Sequence, residues 1–255
     1  MKKNQIPAAV GALLLIVGLV LVFVTRGAAV AEKAGAGDKM LFALSLILTV
    51  VGFVTGIVGL LPRRASTNVR QLALAGLFAA LCYIGFTFCK IDIPVGTEKT
   101  AFHLGNVFCV LAALLLGGFW GGMAGAVGMT IADLTTAYVT SAPKTFVLKL
   151  CIGLIAGFVA HKVFKINEER QRKIPLAVSV YLSCAAGMAF NIVADPVVGY
   201  FYKTYVLGVP QQAAAIWAKI GAVTTCVNAV VAVVVAGTLY LALRPALKRS
   251  HLMPQ

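Results

Sequence analysis

Charge is scarce in this chain. Only 12% of its 255 residues are Asp, Glu, Lys or Arg, and just eight of these are acidic. A soluble domain carries about 25% charged residues to keep its surface hydrated. Histidine is rarer still, at three residues, and none stands at metal-ligand spacing from the six cysteines, which form no C-x-x-C pair. The cysteines (Cys82, Cys89, Cys109, Cys151, Cys184 and Cys226) fall in apolar stretches and read as small buried hydrophobes. The motifs G-x-x-x-x-G-K-[ST], H-E-x-x-H and G-x-S-x-G are all missing, so a nucleotide cradle, zincin chemistry and serine-hydrolase chemistry lack their anchor residues. What fills the chain instead is 60% hydrophobic, with a mean hydropathy of +0.95. That excludes a soluble enzyme, a disordered chain and, despite a net charge of +14, a nucleic-acid binder.

A spanning helix needs roughly 20 mostly apolar residues. Eight stretches qualify: about 6–25, 40–61, 70–89, 101–117, 119–139, 145–165, 175–201 and 212–243. The expectation is an all-α integral membrane protein with both termini in the cytoplasm. In that orientation thirteen Lys and Arg lie inside and seven outside, with Lys149 and Lys219 within spans. The positive-inside rule favours it. Ala29-Val30-Ala31 looks like a cleavage site, but the run from Ile6 to Val24 is longer than a signal-peptide core of 7–15 residues, which favours a retained helix.

Polar residues inside the spans carry the most information. A charge near the bilayer centre costs about 2.5–3.5 kcal/mol, so it is a functional candidate by default. Here these are Asp133, Lys149, Asp195 and Lys219, with Asn106, Asn191 and Asn228 as neutral companions and His103 at a helix mouth. At 1.5 Å per residue, Asp133, Lys149 and Lys219 sit roughly 8–10 Å from the outer ends of their helices. Asn106, Asn191 and Asp195 fall in the same outer layer, and only Asn228 reads as lying towards the inner half. A few fixed polar groups in an apolar bundle are what a ligand pocket open to the outside requires. The alternative is pairwise neutralisation, Asp133 with Lys149 and Asp195 with Lys219, though buried ion pairs stabilise poorly.

Glycine forms a second pattern. Gly118 and Gly122, or Gly121 and Gly125, make small-x-x-x-small faces that permit close backbone approach. Ala75 and Ala79 make a similar face just beyond Arg70.

Several stretches follow one another in a telling order. Val69–Ala80 has a basic start and small residues, and Lys90–Pro94 forms an exit. His103-Leu104-Gly105-Asn106 opens the next helix, followed by the glycine-rich join and Ala132-Asp133-Leu134. Ala142-Pro143 then leads to Lys149 and Gly153-Leu154-Ile155-Ala156-Gly157. In this order and spacing, the chain from about Asn68 to Arg249 resembles the substrate-binding S component of an energy-coupling factor (ECF) transporter, particularly the riboflavin group.

The resemblance implies a six-helix domain over 66–255, preceded by an extra transmembrane hairpin over 1–65. It implies a multi-pass subunit in the cell membrane of a prokaryote that captures a vitamin or vitamin precursor from outside. Riboflavin, pyridoxine-like and pyrimidine compounds all fit that description. Such a subunit docks on a transmembrane scaffold carrying two ATPase subunits, so the missing phosphate loop belongs to partners. Ala75 and Ala79 become the docking face, and toppling of the S component delivers the pocket to the cytoplasm. His103, Asn106, Asp133, Lys149, Asn191, Asp195 and Lys219 become candidate substrate contacts. Lys219 departs from the family pattern, where a neutral residue is expected. Two lysines among these residues hint at an acidic ligand, whereas the two aspartates suit ring nitrogens or hydroxyls. Competing readings are a stand-alone proton-coupled secondary transporter, which would usually show internal repeats, and a membrane assembly protein without a ligand.

Overall fold

The computed structural model describes residues 69–96, 98–168 and 174–249, together with the isolated positions Leu13, Leu14, Val17, Leu21 and Leu41. The spans expected over 6–25 and 40–61, and the side of the membrane taken by the termini, otherwise lie outside the described residues. Packing divides the chain into two units, Met1–Ser66 and Thr67–Gln255. The second is described below.

Its described residues form six α-helices: α1 (Val69–Thr87), α2 (Gly105–Leu116), α3 (Gly118–Leu134), α4 (Ala142–Phe158), α5 (Leu176–Tyr205) and α6 (Gln211–Arg249). Between α1 and α2 lies an antiparallel hairpin of β1 (Lys90–Val95) and β2 (Glu98–His103). The chain is thus mostly helical, as expected, and the hairpin is a local correction to that expectation. The span drawn over 101–117 is corrected with it, because its first residues belong to β2. The cause is local. Ile91, Ile93 and Val95 alternate with Lys90, Asp92 and Pro94, a two-residue period that suits a strand. Gly96 then turns the chain at φ +63°, which glycine adopts without strain.

Among the described residues, four stretches are long and apolar enough to cross a membrane: α1, α4 with its flanking turns (Val139–Val163), α5 and α6. Helix α2, at 12 residues, extends only about 18 Å, against a hydrocarbon core of about 30 Å. It is buried along its length except at Phe108, which makes it the axis of the bundle. The outer helices, by contrast, carry apolar residues outward. Val223, Val227, Val230 and Val234 form an exposed stripe along α6, at the spacing of one helix face. Such a stripe suits lipid and is unusual on a soluble surface.

Helix α3 is held by backbone contact on three sides. A Cβ on Gly121 would strike the backbone of Ala113, and one on Gly125 would strike Cys109, both on α2. On the next face, Gly118 meets Gly157 and Gly122 meets Gly153 of α4, while Gly128 meets Ala79 of α1. Both small-residue faces read from the sequence are thus in use, one against each neighbour. Gly117, at φ +88°, breaks the chain between α2 and α3 so that the two helices fold back on each other. At the other joins, Pro143 opens α4 and Pro175 precedes α5, positions that lose no helical hydrogen bond.

Gly121→Ala is expected to lower the thermal midpoint of the purified chain in detergent, at a cost of roughly 1–3 kcal/mol from overpacking. Gly76→Ala, which meets nothing within 4 Å, should leave the midpoint unchanged or slightly raised. Equal midpoints for the two variants would contradict this packing.

Candidate functional site

At the hairpin end of the bundle, a cavity of about 140 Å³ is enclosed by β2 and by residues of all six helices or the turns that end them. Six of the seven residues singled out as substrate contacts line it: His103, Asn106, Asp133, Lys149, Asn191 and Asp195. They come from β2, α2, α3, α4 and α5, and the glycine contacts explain why they converge. The pairs Gly118–Gly157 and Gly122–Gly153 fix an antiparallel register between α3 and α4. Carried one turn further at a time, that register sets Thr130 opposite Thr145 and leaves Asp133 beside it. Thr145 and Asp133 both line the cavity.

Asn106, Asp133 and Asn191 are each 2% exposed or less, yet Asn106 Oδ1, Asp133 Oδ2 and Asn191 Oδ1 have no hydrogen-bond partner among the described residues. A buried polar atom left unmatched costs roughly 1–3 kcal/mol. Three such atoms, on three helices, belong to residues that line one cavity.

The charges arrange themselves differently from the pairing weighed above. Asp195 Oδ1 accepts from Lys144 Nζ at 2.8 Å, and Asp195 Oδ2 accepts from the Thr225 hydroxyl at 3.0 Å. Lys144 is one of the seven cations that the sequence reading places outside the spans. Helix α4 begins at Ala142, one turn earlier than the sequence reading placed it, and so carries Lys144 into the site. The Ala-Pro pair that opens the helix was the available signal. Lys149 is buried on the next turn, and among the described residues no carboxylate lies within 4.0 Å of it.

Lys219 stands apart. The cavity face of α6 runs through Trp217, Gly221, Thr224 and Asn228, whereas Lys219 falls off that face and is exposed. Ala75 and Ala79 also differ from expectation. Ala75 is buried in the core, and Ala79 packs its backbone against Gly128 of α3. That small face is spent inside the bundle. The exposed small residues of α1 are Ala73, Gly76 and Ala80.

The roof of the cavity is the hairpin, pinned on two sides. Asn228 Nδ2 donates to Ala101 O at 2.9 Å, and its Oδ1 accepts from the His103 backbone N–H at 3.0 Å. The amide thus caps the free edge of β2, which places it at the hairpin end and not towards the inner half. On the opposite side, the Tyr138 hydroxyl donates to Asp92 Oδ1 at 2.8 Å, and Lys90 lies 5.0 Å from the Tyr138 ring centroid. The His103 ring packs tilted against Phe86, with centroids 4.7 Å apart and the planes at 59°. Its Nδ1 accepts from the Gly105 N–H at 3.2 Å, which requires the neutral imidazole. Burial first, and the Lys149 charge second, lower its pKa to about 3.

A family model described as ECF-type riboflavin transporter, S component, matches residues 66–245. The chain belongs to this family. Comparison with curated proteins and with solved structures gives no match. As an ECF S component, the chain is a membrane-embedded, substrate-binding transporter subunit and not an enzyme. The matched stretch begins at residue 66, which leaves 1–65 outside it. Its six described helices and the cavity under the hairpin both lie within the match, apart from the last residues of α6.

Asn228→Ala is expected to release the edge of β2. Hydrogen exchange at the amide of His103 should then quicken at least about tenfold, the equivalent of one lost hydrogen bond. Unchanged exchange there would show that the hairpin is held without Asn228.

Proposed function

We propose that this chain captures a vitamin or vitamin precursor from outside the cell and delivers it through an ECF importer. The observation that carries this reading is the set of three unmatched, buried oxygens on Asn106, Asp133 and Asn191 around one cavity. Ligand N–H or O–H groups that meet these oxygens recover free energy the empty protein forgoes. Aromatic walls from Phe86, Tyr138 and Trp217 suit a flat heterocycle.

The charge asymmetry of the sequence supports an outward-facing hairpin, since the positive-inside rule places the loops with fewer lysines and arginines outside. The hairpin then serves as the extracellular roof. Energy comes from elsewhere: the sequence has no phosphate loop, and ECF S components act with a scaffold and ATPase partners. The chain accordingly docks on a transmembrane scaffold that carries two ATPase subunits, in a prokaryotic plasma membrane. The family name points to riboflavin, and the same polar set suits pyridoxine-like and pyrimidine compounds.

Mass spectrometry of small molecules released from the full chain, purified alone in mild detergent, tests this. One vitamin-like compound near 1:1 occupancy is expected, lost in Asp133→Asn and Lys149→Ala. Its absence, even after growth in rich medium, would overturn the capture reading in favour of a weak-binding secondary transporter or an assembly protein.

A further inference from the structure

The cavity holds about 140 Å³. An apolar protein cavity of about 150 Å³ takes up a single benzene ring, and the fused three-ring system of a flavin needs roughly two to three times that space. The walls oppose enlargement. Met129, one turn before Asp133 on α3, lines the cavity and is 1% exposed. Its Sδ and Cε lie 3.2 Å from where a Cβ on Gly105 would stand, so this side is already packed against the start of α2. The other sides are tied together by hydrogen bonds. Lys144 of α4 and Thr225 of α6 both donate to Asp195 of α5. Asn228 of α6 holds β2 through the Ala101 carbonyl and the His103 N–H. Widening the cavity means parting these groups, and polar groups parted inside a protein are costly unless they find new partners.

The same bonds restrict which polar groups can serve a ligand. Among the amides and carboxylates that line the cavity, Asp195 and Asn228 are spent on the walls. Asn106 Oδ1, Asp133 Oδ2 and Asn191 Oδ1 have no partner among the described residues. They call for several donors on a small body. The ammonium of Lys149, also on the lining, is a donor that a ring nitrogen or a carbonyl oxygen can meet.

We infer that the ligand of this cavity is a single-ring heterocycle, with several N–H or O–H groups and at least one ring nitrogen or carbonyl oxygen, and not a fused-ring flavin. This inference rests on the capture reading and narrows its substrate class. Of riboflavin, pyridoxine-like and pyrimidine compounds, only the last two satisfy it.

Calorimetric titration of the full chain in detergent with riboflavin, pyridoxine and uracil tests the inference. Pyridoxine or uracil is expected to bind at least about tenfold tighter than riboflavin. In Met129→Ala, which enlarges the cavity, that preference should fall at least about threefold. An unchanged preference in the folded variant would show that size is not its cause and overturn the inference. The wild-type ratio decides if the variant does not fold. Riboflavin that binds within about tenfold of the better one-ring compound, or more tightly, would overturn the inference while leaving capture intact. If none of the three binds, the compound that co-purifies decides: a one-ring compound supports the inference, and one with more rings overturns it. An empty protein overturns capture itself, and the inference falls with it.

Discussion

Direct backbone contact along α3 is the constraint on which the rest of the structure depends. Helices that pack through large side chains keep their axes 8–10 Å apart, and side chains as short as Asn and Asp would then not converge across the bundle. Glycines on three faces of α3 remove that spacing against α1, α2 and α4 together. No hydrophobic driving force separates lipid tails from leucine in a membrane, so close backbone approach is itself a main source of helix association. The same contacts set register. Gly121 against Ala113, Gly125 against Cys109 and Met129 against Gly105 form one antiparallel ladder between α2 and α3. That ladder fixes Asn106, on the first turn of α2, near the C-terminal half of α3, where Asp133 lies.

Function follows from what those contacts bring together. A bilayer-embedded bundle has no reason to bury amides, carboxylates and ammonium groups unless they do something, since each is expensive there. The bundle separates two kinds of polar residue. Asn228, Tyr138, Thr225 and Lys144 have partners in the protein, and they hold the hairpin roof or orient Asp195. Asn106, Asp133 and Asn191 each keep an oxygen without one. The first group holds the structure around the cavity, and the second supplies the ligand contacts in the proposed function. Neighbouring residues of the same type thus take different roles according to whether their hydrogen bonds are already made.

Much of this was legible in the sequence, because a membrane imposes simple rules. Apolar runs gave the helices from 69 onward, and the polar residues among them, four ionisable and two asparagines, gave six that line the cavity. The failures have physical causes. The end of β2 hid inside an apparent span because Ala101 and Phe102 are as apolar as a helix would be, and the signals for the hairpin, the alternation of Lys90–Val95 and the Gly96 turn, lie before it. Lys144 was lost by a boundary error of three residues. Lys219 was placed in the site from depth alone, but depth does not fix the azimuth around α6, and its side chain falls on the exposed side. Ala75 and Ala79 showed that a small-residue face mediates close packing without showing which neighbour it meets. Here that neighbour is α3, through Gly128.

The central claim is that α3 gathers polar groups from several helices into one ligand cavity beneath the hairpin. An experimental structure of the purified full chain in lipid nanodiscs, solved with whatever compound it retains, tests this most directly. The account predicts ligand density bounded by Asn106, Asp133, Lys149 and Asn191, with the hairpin closed over it through Asn228. Ligand density elsewhere in the bundle, or these four side chains paired with one another around a closed core, would contradict it.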